Sequence, residues 1–158
     1  MLLIEKEISS VLFVCLGNIC RSPLAEGVAR RRFADAGIRM VVASCGTGRW
    51  HVGEGADPRS RRVAAETGYD LESHRVRQLA AADYRQYDLL LAMDAANLAV
   101  MRRQCPAELQ SRLGLFLEVA GVQAGGEVPD PYHGDLEDFR EVRALVEHGV
   151  DGLIQRLA

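Results

Sequence analysis

A chain of 158 residues, 48% hydrophobic and 26% charged, is long enough for one domain that buries roughly 70% of its unfolded surface, and no apolar run approaches the roughly 20 residues needed to cross a bilayer. A formal net charge of -3 argues against non-specific nucleic-acid binding, which needs clustered Lys and Arg in excess, so any anion site must be local. The four cysteines, Cys15, Cys20, Cys45 and Cys105, have neither the density of a disulfide scaffold nor the paired spacing of a zinc site, which points to free thiols in a reducing, cytoplasmic setting.

Residues 1–9 read as a short loose extension, because the apolar start Met1-Leu2-Leu3-Ile4 is cut by Glu5-Lys6-Glu7 and is too short for a secretory signal. Residues 10–158 read as a single domain. The run Ser10 to Cys15 is nearly all apolar and rich in β-branched residues, the pattern of a strand buried on both faces. After the loop Leu16 to Arg21, a helix is expected with Ser22 as N-cap, Pro23 at its first position and Gly37 ending it in a left-handed conformation. A second strand is expected over Arg39 to Ser44. Asp57-Pro58 then open a second helix that runs to about Gly68, and a third is expected near Ala80 to Gln86. Asp88 to Met93 is another buried strand, followed by a helix from about Ala95 to Arg103 that must stop before Pro106. A fourth strand is expected around Leu113 to Leu117. Finally, Phe139, Val142, Val146, Val150, Leu153 and Leu157 step by three or four, which predicts a long C-terminal helix, weakened at Gly149 and Gly152. Strands alternating with helices give a doubly wound α/β domain with a parallel sheet covered on both faces. Ligands bind such sheets outside the carboxyl ends of the strands, so the loop after the first strand is the place to look.

Between Cys15 and Arg21 lie five residues, enough for a tight loop whose backbone N–H groups converge on one point. The helix that follows adds its own free N–H groups and positive dipole end, and a tetrahedral phosphate suits the result. Arg21 supplies a planar fork that can grip two phosphate oxygens, and the same positive surroundings favour a thiolate nucleophile at Cys15. Expelling a bare alkoxide or phenolate is costly, so a proton donor must come from elsewhere. Asp130, stiffened by Pro129 and Pro131 and followed by Tyr132, is the best candidate.

The run Val14-Cys15-Leu16-Gly17-Asn18-Ile19-Cys20-Arg21-Ser22-Pro23, with Asp130-Pro131-Tyr132 late in the chain, closely resembles the low-molecular-weight protein tyrosine phosphatases. Further matches at Trp50-His51-Val52-Gly53, Asp57-Pro58-Arg59, Ser73 to Gln78 and Met93 to Asn97 extend the resemblance over essentially the whole length. It implies a single doubly wound domain with a four-stranded parallel sheet in the flavodoxin-like order 2-1-3-4. It also implies hydrolysis of phosphotyrosine through a cysteinyl-phosphate, with Cys15 as nucleophile, Arg21 as phosphate clamp and Asp130 as acid and then base. Leu16, Gly17, Asn18, Ile19, Cys20 and Ser22 would form the phosphate-binding loop, with Ser22 donating to the thiolate. Asn18, supported by Ser44 and His74, would hold the loop open, and Asp94 would help fix Arg21. Leu16, Ile19, Trp50 and Tyr132 resemble the apolar and aromatic walls that sandwich a phenyl ring. The sequence departs from many members at His133, where a second tyrosine commonly stands.

Cys20 is either a packed thiol or, as in family members, a disulfide partner that protects Cys15. Cys45 and Cys105 read as structural, and Asp57 as a helix cap. The resemblance implies no cofactor or metal and, as partner, a phosphotyrosine protein, in a bacterium a tyrosine kinase of polysaccharide export. No nucleic acid and no membrane insertion are implied, and the oligomeric state is monomer or weak dimer. Among related activities, protein arginine phosphatases typically carry threonine where Ile19 stands. Arsenate reductases need further redox cysteines suitably placed, and an inactive phosphate-binding adaptor would be expected to lose the nucleophile or the acid.

Overall fold

The computed structural model describes residues 7–157. Of the loose extension expected over residues 1–9, residues 1–6 lie outside them, while Ile8 packs against the core and Ser9 donates to the Asp88 carboxylate, so the last part of it is held. Four strands, β1 (Ser10–Cys15), β2 (Val41–Gly46), β3 (Leu89–Ala92) and β4 (Leu113–Leu115), form one all-parallel sheet in the order β2-β1-β3-β4. β1 is central, paired with β2 from Ser10↔Val41 to Cys15↔Gly46 and with β3 from Val11↔Leu89 to Val14↔Ala92. All six of its residues are therefore buried, which is why it reads as an unbroken apolar run.

The pleat sends alternate side chains to opposite faces. Val11, Phe13 and Cys15 join Leu89 and Leu91 on the face covered by α1 (Arg21–Asp35), α2 (Pro58–Glu66) and α6 (Leu136–Leu157). Leu12, Val14, Leu90 and Ala92 meet Tyr84 from α3 (Asp83–Gln86), Met101 from α4 (Ala95–Gln104) and Leu109 on the other. Each fully buried Leu or Phe contributes roughly 1.5–3 kcal/mol through removal from water. The chain leaves β1 toward β2 on one side and later reaches β3 on the other. The crevice at the carboxyl ends of β1 and β3 is thus the switch point of the sheet. Among the described residues no helix is long and apolar enough to cross a membrane.

Several boundaries differ from the sequence expectation. α1 starts at Arg21 with Cys20 in the cap position and no side-chain cap, so Ser22 is not the N-cap and Pro23 is the third helical residue. The Ser22 hydroxyl is engaged elsewhere, as described below. Asp57 does cap α2, accepting from the Arg59 N–H at 2.8 Å, and Gly37 does adopt a left-handed φ of 72°. α2 ends at Glu66, β2 lies two residues later than expected, and α3 begins only at Asp83. β4 stops at Leu115, because Phe116 and Leu117 turn into α5 (Phe116–Val119), and a 3-10 helix at Ala107–Arg112 precedes it. α6 is unbroken through Gly149 and Gly152. A Cβ at Gly149 would run into the Phe116 ring and one at Gly152 into the Ala120 carbonyl. The helix-propensity cost of about 1 kcal/mol per glycine is offset by that close approach. Phe116 in turn packs edge-on to Phe13 of β1 at 5.2 Å.

Candidate active site

Cys15 ends β1 and is 2% exposed. The loop after it folds low over the end of β2, where a Cβ on Gly46 would lie 2.8 Å from the Leu16 carbonyl oxygen and 3.2 Å from the Asn18 nitrogen. Only glycine permits that approach. The Thr47 N–H donates to the Cys15 carbonyl and the Gly48 N–H to that of Leu16, both at 2.9 Å, while the Asp57 N–H donates to the Ile19 carbonyl at 2.8 Å. With the carbonyls turned outward in this way, the N–H groups of Gly17, Ile19 and Cys20 have no protein acceptor among the described residues, and the Asn18 N–H points to Cys15 Sγ at 3.3 Å. Buried N–H groups without partners at the head of a helix form an anion cup.

Asn18 shapes that cup. Its φ of 58° is the only left-handed value at a non-glycine among the described residues, and it is fully buried. Such a backbone persists only where its surroundings over-determine it. Here the Asn18 amide donates to Ser22 Oγ at 2.8 Å and Ser44 Oγ at 3.0 Å, its Oδ1 accepts the Arg77 N–H at 3.2 Å, and its carbonyl accepts His74 Nε2–H at 2.8 Å. The Ser44 hydroxyl donates to Glu26 Oε1 at 2.6 Å. Ser22 therefore accepts from Asn18, and its own proton is available to a Cys15 thiolate whose Sγ lies 2.9 Å away, the alternative acceptor being the Cys45 carbonyl at 3.4 Å. The sulfur faces two donors, where negative charge is best carried.

Arg21 is 2% exposed and opens α1. One guanidinium nitrogen donates to Asp94 Oδ2 at 2.7 Å and to the Val128 carbonyl at 3.0 Å, while the other lies 3.7 Å from Asp130 Oδ2. Burial opposes its charge, but the Cys15 sulfur, Asp94 and Asp130 more than compensate and raise its pKa above the ordinary value. Asp94 also caps α4, accepting the Asn97 N–H at 2.8 Å through its second oxygen, so the carboxylate that aims Arg21 is itself held by a helix.

These groups meet in a cleft of about 190 Å³ lined by Cys15, Leu16, Gly17, Ile19, Cys20, Arg21, Trp50, Asp130 and Tyr132, together with His51 and His133. Asp130 sits at the rim, its side chain 44% exposed, with Oδ1 accepting the Tyr132 N–H at 3.2 Å. Trp50, Tyr132 and Leu16 are the exposed apolar walls. Asn18, Ser22, Ser44, His74 and Asp94 do not line the cleft; they lie behind the loop or beside Arg21 and act through it. The Cys20 thiol, also in the cleft, is pushed far above its ordinary pKa by burial and then by the Asp57 and Cys15 charges. Cys45 is fully buried, and its thiol is raised for the first of those reasons. All four cysteines are free thiols. Among the described residues no three or more His, Cys, Asp or Glu side chains are grouped as metal ligands are.

Sequence reasoning did not single out Glu26, the Val128 carbonyl, the Arg77 N–H or His51. Glu26 lies four residues beyond Ser22 on α1, and that spacing was a signal that it faces the same loop. The two backbone groups left no trace in side-chain identity. A wider groove of about 710 Å³ shares Ile19, His51 and Tyr132 with the cleft and extends toward Arg61 and Arg75.

The model of the family described as low molecular weight phosphotyrosine protein phosphatase matches residues 10–158. A low molecular weight protein-tyrosine-phosphatase of Streptomyces coelicolor is 45% identical over 149 residues, covering 91% of this chain and 90% of that protein. A low molecular weight phosphotyrosine protein phosphatase of Schizosaccharomyces pombe is 42% identical, covering 82% of this chain and 84% of its own. The crystal structure of a protein tyrosine phosphatase from Entamoeba histolytica superposes with a TM-score of 0.89 at 33% identity, covering 94% of this chain and 96% of that one.

Proposed function

From the premise that the chain belongs to the low molecular weight phosphotyrosine protein phosphatase family, we propose that Cys15, Arg21 and Asp130 divide its chemistry between them. The protein is a protein tyrosine phosphatase that works through a cysteinyl-phosphate intermediate. In the first step the Cys15 thiolate attacks phosphorus in line. An S–P bond forms, the P–O bond to the phenol breaks, and the proton of the Asp130 carboxylic acid goes to the departing oxygen. In the second, Asp130, now a carboxylate, takes a proton from water as the water oxygen bonds to phosphorus and the S–P bond breaks. Inorganic phosphate leaves and the thiolate returns.

Arg21 grips the equatorial oxygens beside the free N–H groups of the loop, donors already aimed before charge develops. Asn18, Ser44 and His74 keep the cup open, Ser22 stabilises the sulfur as leaving group in the second step, and Asp94 aims Arg21. Leu16, Ile19, Trp50 and Tyr132 hold the phenyl ring. One observation carries this reading: Cys15 Sγ lies within 2.9 Å of the Ser22 hydroxyl and 3.3 Å of the Asn18 N–H, at the floor of a cleft that also holds Arg21 and Asp130.

The domain so assigned spans residues 10–158, the stretch matched by the family model. The reading extends to a cytoplasmic enzyme acting, as monomer or weak dimer, on a phosphotyrosine protein, in a bacterium a tyrosine kinase. The groove beside the cleft and the apolar Ile19 at its floor support an aryl phosphate on a polypeptide. Matched phosphotyrosine, phosphoserine and phosphoarginine peptides test it. Phosphotyrosine is expected to be hydrolysed at least about 100-fold faster than the others, a margin within reach of one well-shaped pocket. Preference for phosphoarginine overturns it.

A further inference from the structure

Arg59, two residues past the Asp57 cap of α2, touches more elements around the cleft than a cap requires. The Asp57 N–H is bonded to the Ile19 carbonyl of the phosphate loop at 2.8 Å, and the Ser60 hydroxyl donates to the Cys20 carbonyl at 3.2 Å, so the head of α2 is tied to that loop. The Asp57 carboxylate, 9% exposed, accepts from Arg59 Nε at 3.0 Å and from one terminal nitrogen at 2.9 Å, a two-pronged pair. The other terminal nitrogen donates to the Gly134 carbonyl at 3.2 Å. The face of the guanidinium lies over the Phe139 ring at 4.4 Å and the Tyr132 ring at 5.7 Å.

The stretch from Pro129 to Asp138 has few other restraints. Its own bonds are Tyr132 N–H to Asp130, Gly134 N–H to Pro131, the mutual Asp135 and Asp138 turn bonds, and, on α6 itself, Arg140 to Glu137. Among the described residues, the polar side chains that reach it from other elements are Arg21, 3.7 Å from Asp130, and Arg59. Arg21 is committed to phosphate. We propose that Arg59 is a positioning residue for the acid step: braced by Asp57 against the phosphate loop, it sets the height at which Tyr132, and through the Tyr132 N–H bond Asp130, stand over Cys15. The proposal rests on the reading of Asp130 as the acid. An arginine is needed because one planar group must offer an edge to a carboxylate, a third nitrogen to a carbonyl and a face to two rings; lysine offers only a point charge. An acid displaced by about 1 Å loses roughly 100-fold in efficiency.

The test is kcat/KM for 4-nitrophenyl phosphate, whose leaving group needs little protonation, and for phenyl phosphate, whose leaving group needs much, in the full chain. Arg59→Met keeps the apolar stem over Phe139 and removes every bond. It is expected to lower turnover of phenyl phosphate by about 10-fold or more and of 4-nitrophenyl phosphate by less than about 3-fold, with no rescue by Arg59→Lys. In an Asp130→Asn background the same change is expected to cost less than about 2-fold on either ester, because no acid remains to be positioned. Equal losses on both esters, or the full loss persisting beside Asp130→Asn, make Arg59 a structural brace and overturn the proposal alone. Asp130→Asn leaving phenyl phosphate unaffected overturns the acid assignment and the proposal with it. Should Arg59→Met fail to fold, Asp57→Asn keeps the cap, removes the charge that braces Arg59, and carries the same comparison.

Discussion

On one side of the cleft, Asn18 is fully buried and every polar atom of its side chain has a protein partner. On the other, Asp130 lies 44% exposed between two prolines, with one hydrogen bond of 3.2 Å to its own loop and Arg21 at 3.7 Å. The two loops face the same substrate but meet different demands. Phosphate-binding dipoles and the nucleophile stabilise charge best when already aimed, since reorienting them during the reaction would add to the barrier. Under the proposed assignment, Asp130 as the acid must admit a bulky aryl ring beneath it and afterwards let phosphate out, which accords with a loop not locked by burial. The contrast teaches that preorganisation here is concentrated in the network around Asn18, while the loop that carries Asp130 is met from outside by Arg21 and Arg59.

The sharpest attempt to break this contrast compares its two ends. Cys15→Ser is expected to lower turnover of any aryl phosphate by roughly 10⁴–10⁶-fold, the range for loss of a nucleophile. Asp130→Ala should cost about 10²–10⁴-fold, and only for esters with poor leaving groups. If kcat/KM for 4-nitrophenyl and phenyl phosphate falls equally in Asp130→Ala, the two sides of the cleft do not divide the work as described. Next, Asn18→Ala removes the amide that holds Ser22 and Ser44 and leaves a left-handed alanine. Activity should fall by about 10–100-fold and stability by about 1–3 kcal/mol, measured by phosphatase assay and urea denaturation. Unchanged activity would mean that the loop holds its shape without the network.

The smallest effect sharpens the comparison by separating packing from chemistry. Glu66 on α2 binds Arg140 at 2.7 Å and Arg143 at 2.9 Å on α6, and these bonds lower its pKa to about 2. Because the folded value lies below the unfolded one, the stabilisation is present in full above about 4.5 and is lost as pH falls toward 2. Glu66→Gln should therefore melt slightly below the parent at pH 7 and converge with it only as pH falls through about 2, with kcat/KM at pH 7 unaltered. A matching loss of activity would show that the α2–α6 seam itself holds the acid loop.

How far the molecule could be read in advance depended on the range of the interactions. β1, α2 with its Asp57 cap, and the three-or-four spacing of α6 were legible because burial on both faces, a local cap and helical periodicity leave marks within a few residues. Ser22 misled because Ser-Pro is a helix-start signal, and nothing local says that the hydroxyl turns back to Cys15 seven residues away. Phe116 and Leu117 continue an apolar run that fits a strand as well as a helix, and the close approach of α6 decided between them. Gly149 looked like a weakness until the Phe116 ring was seen above it.

The amino-acid sequence by itself determined the alternation of four strands with helices, the five-residue spacing from Cys15 to Arg21 and the proline-flanked Asp130, since each is written in neighbouring side chains and the bonds that join them. Only the tertiary structure decided that Glu26, Ser44, His74 and the Arg77 N–H converge on one asparagine, that Val128 offers its carbonyl to Arg21, and that Arg59 spans from the phosphate loop to the acid loop. Those contacts join residues far apart in the chain and depend on hydrogen-bond geometry good to a few tenths of an ångström. That geometry exists only once the sheet has brought the carboxyl ends of β1 and β3 together.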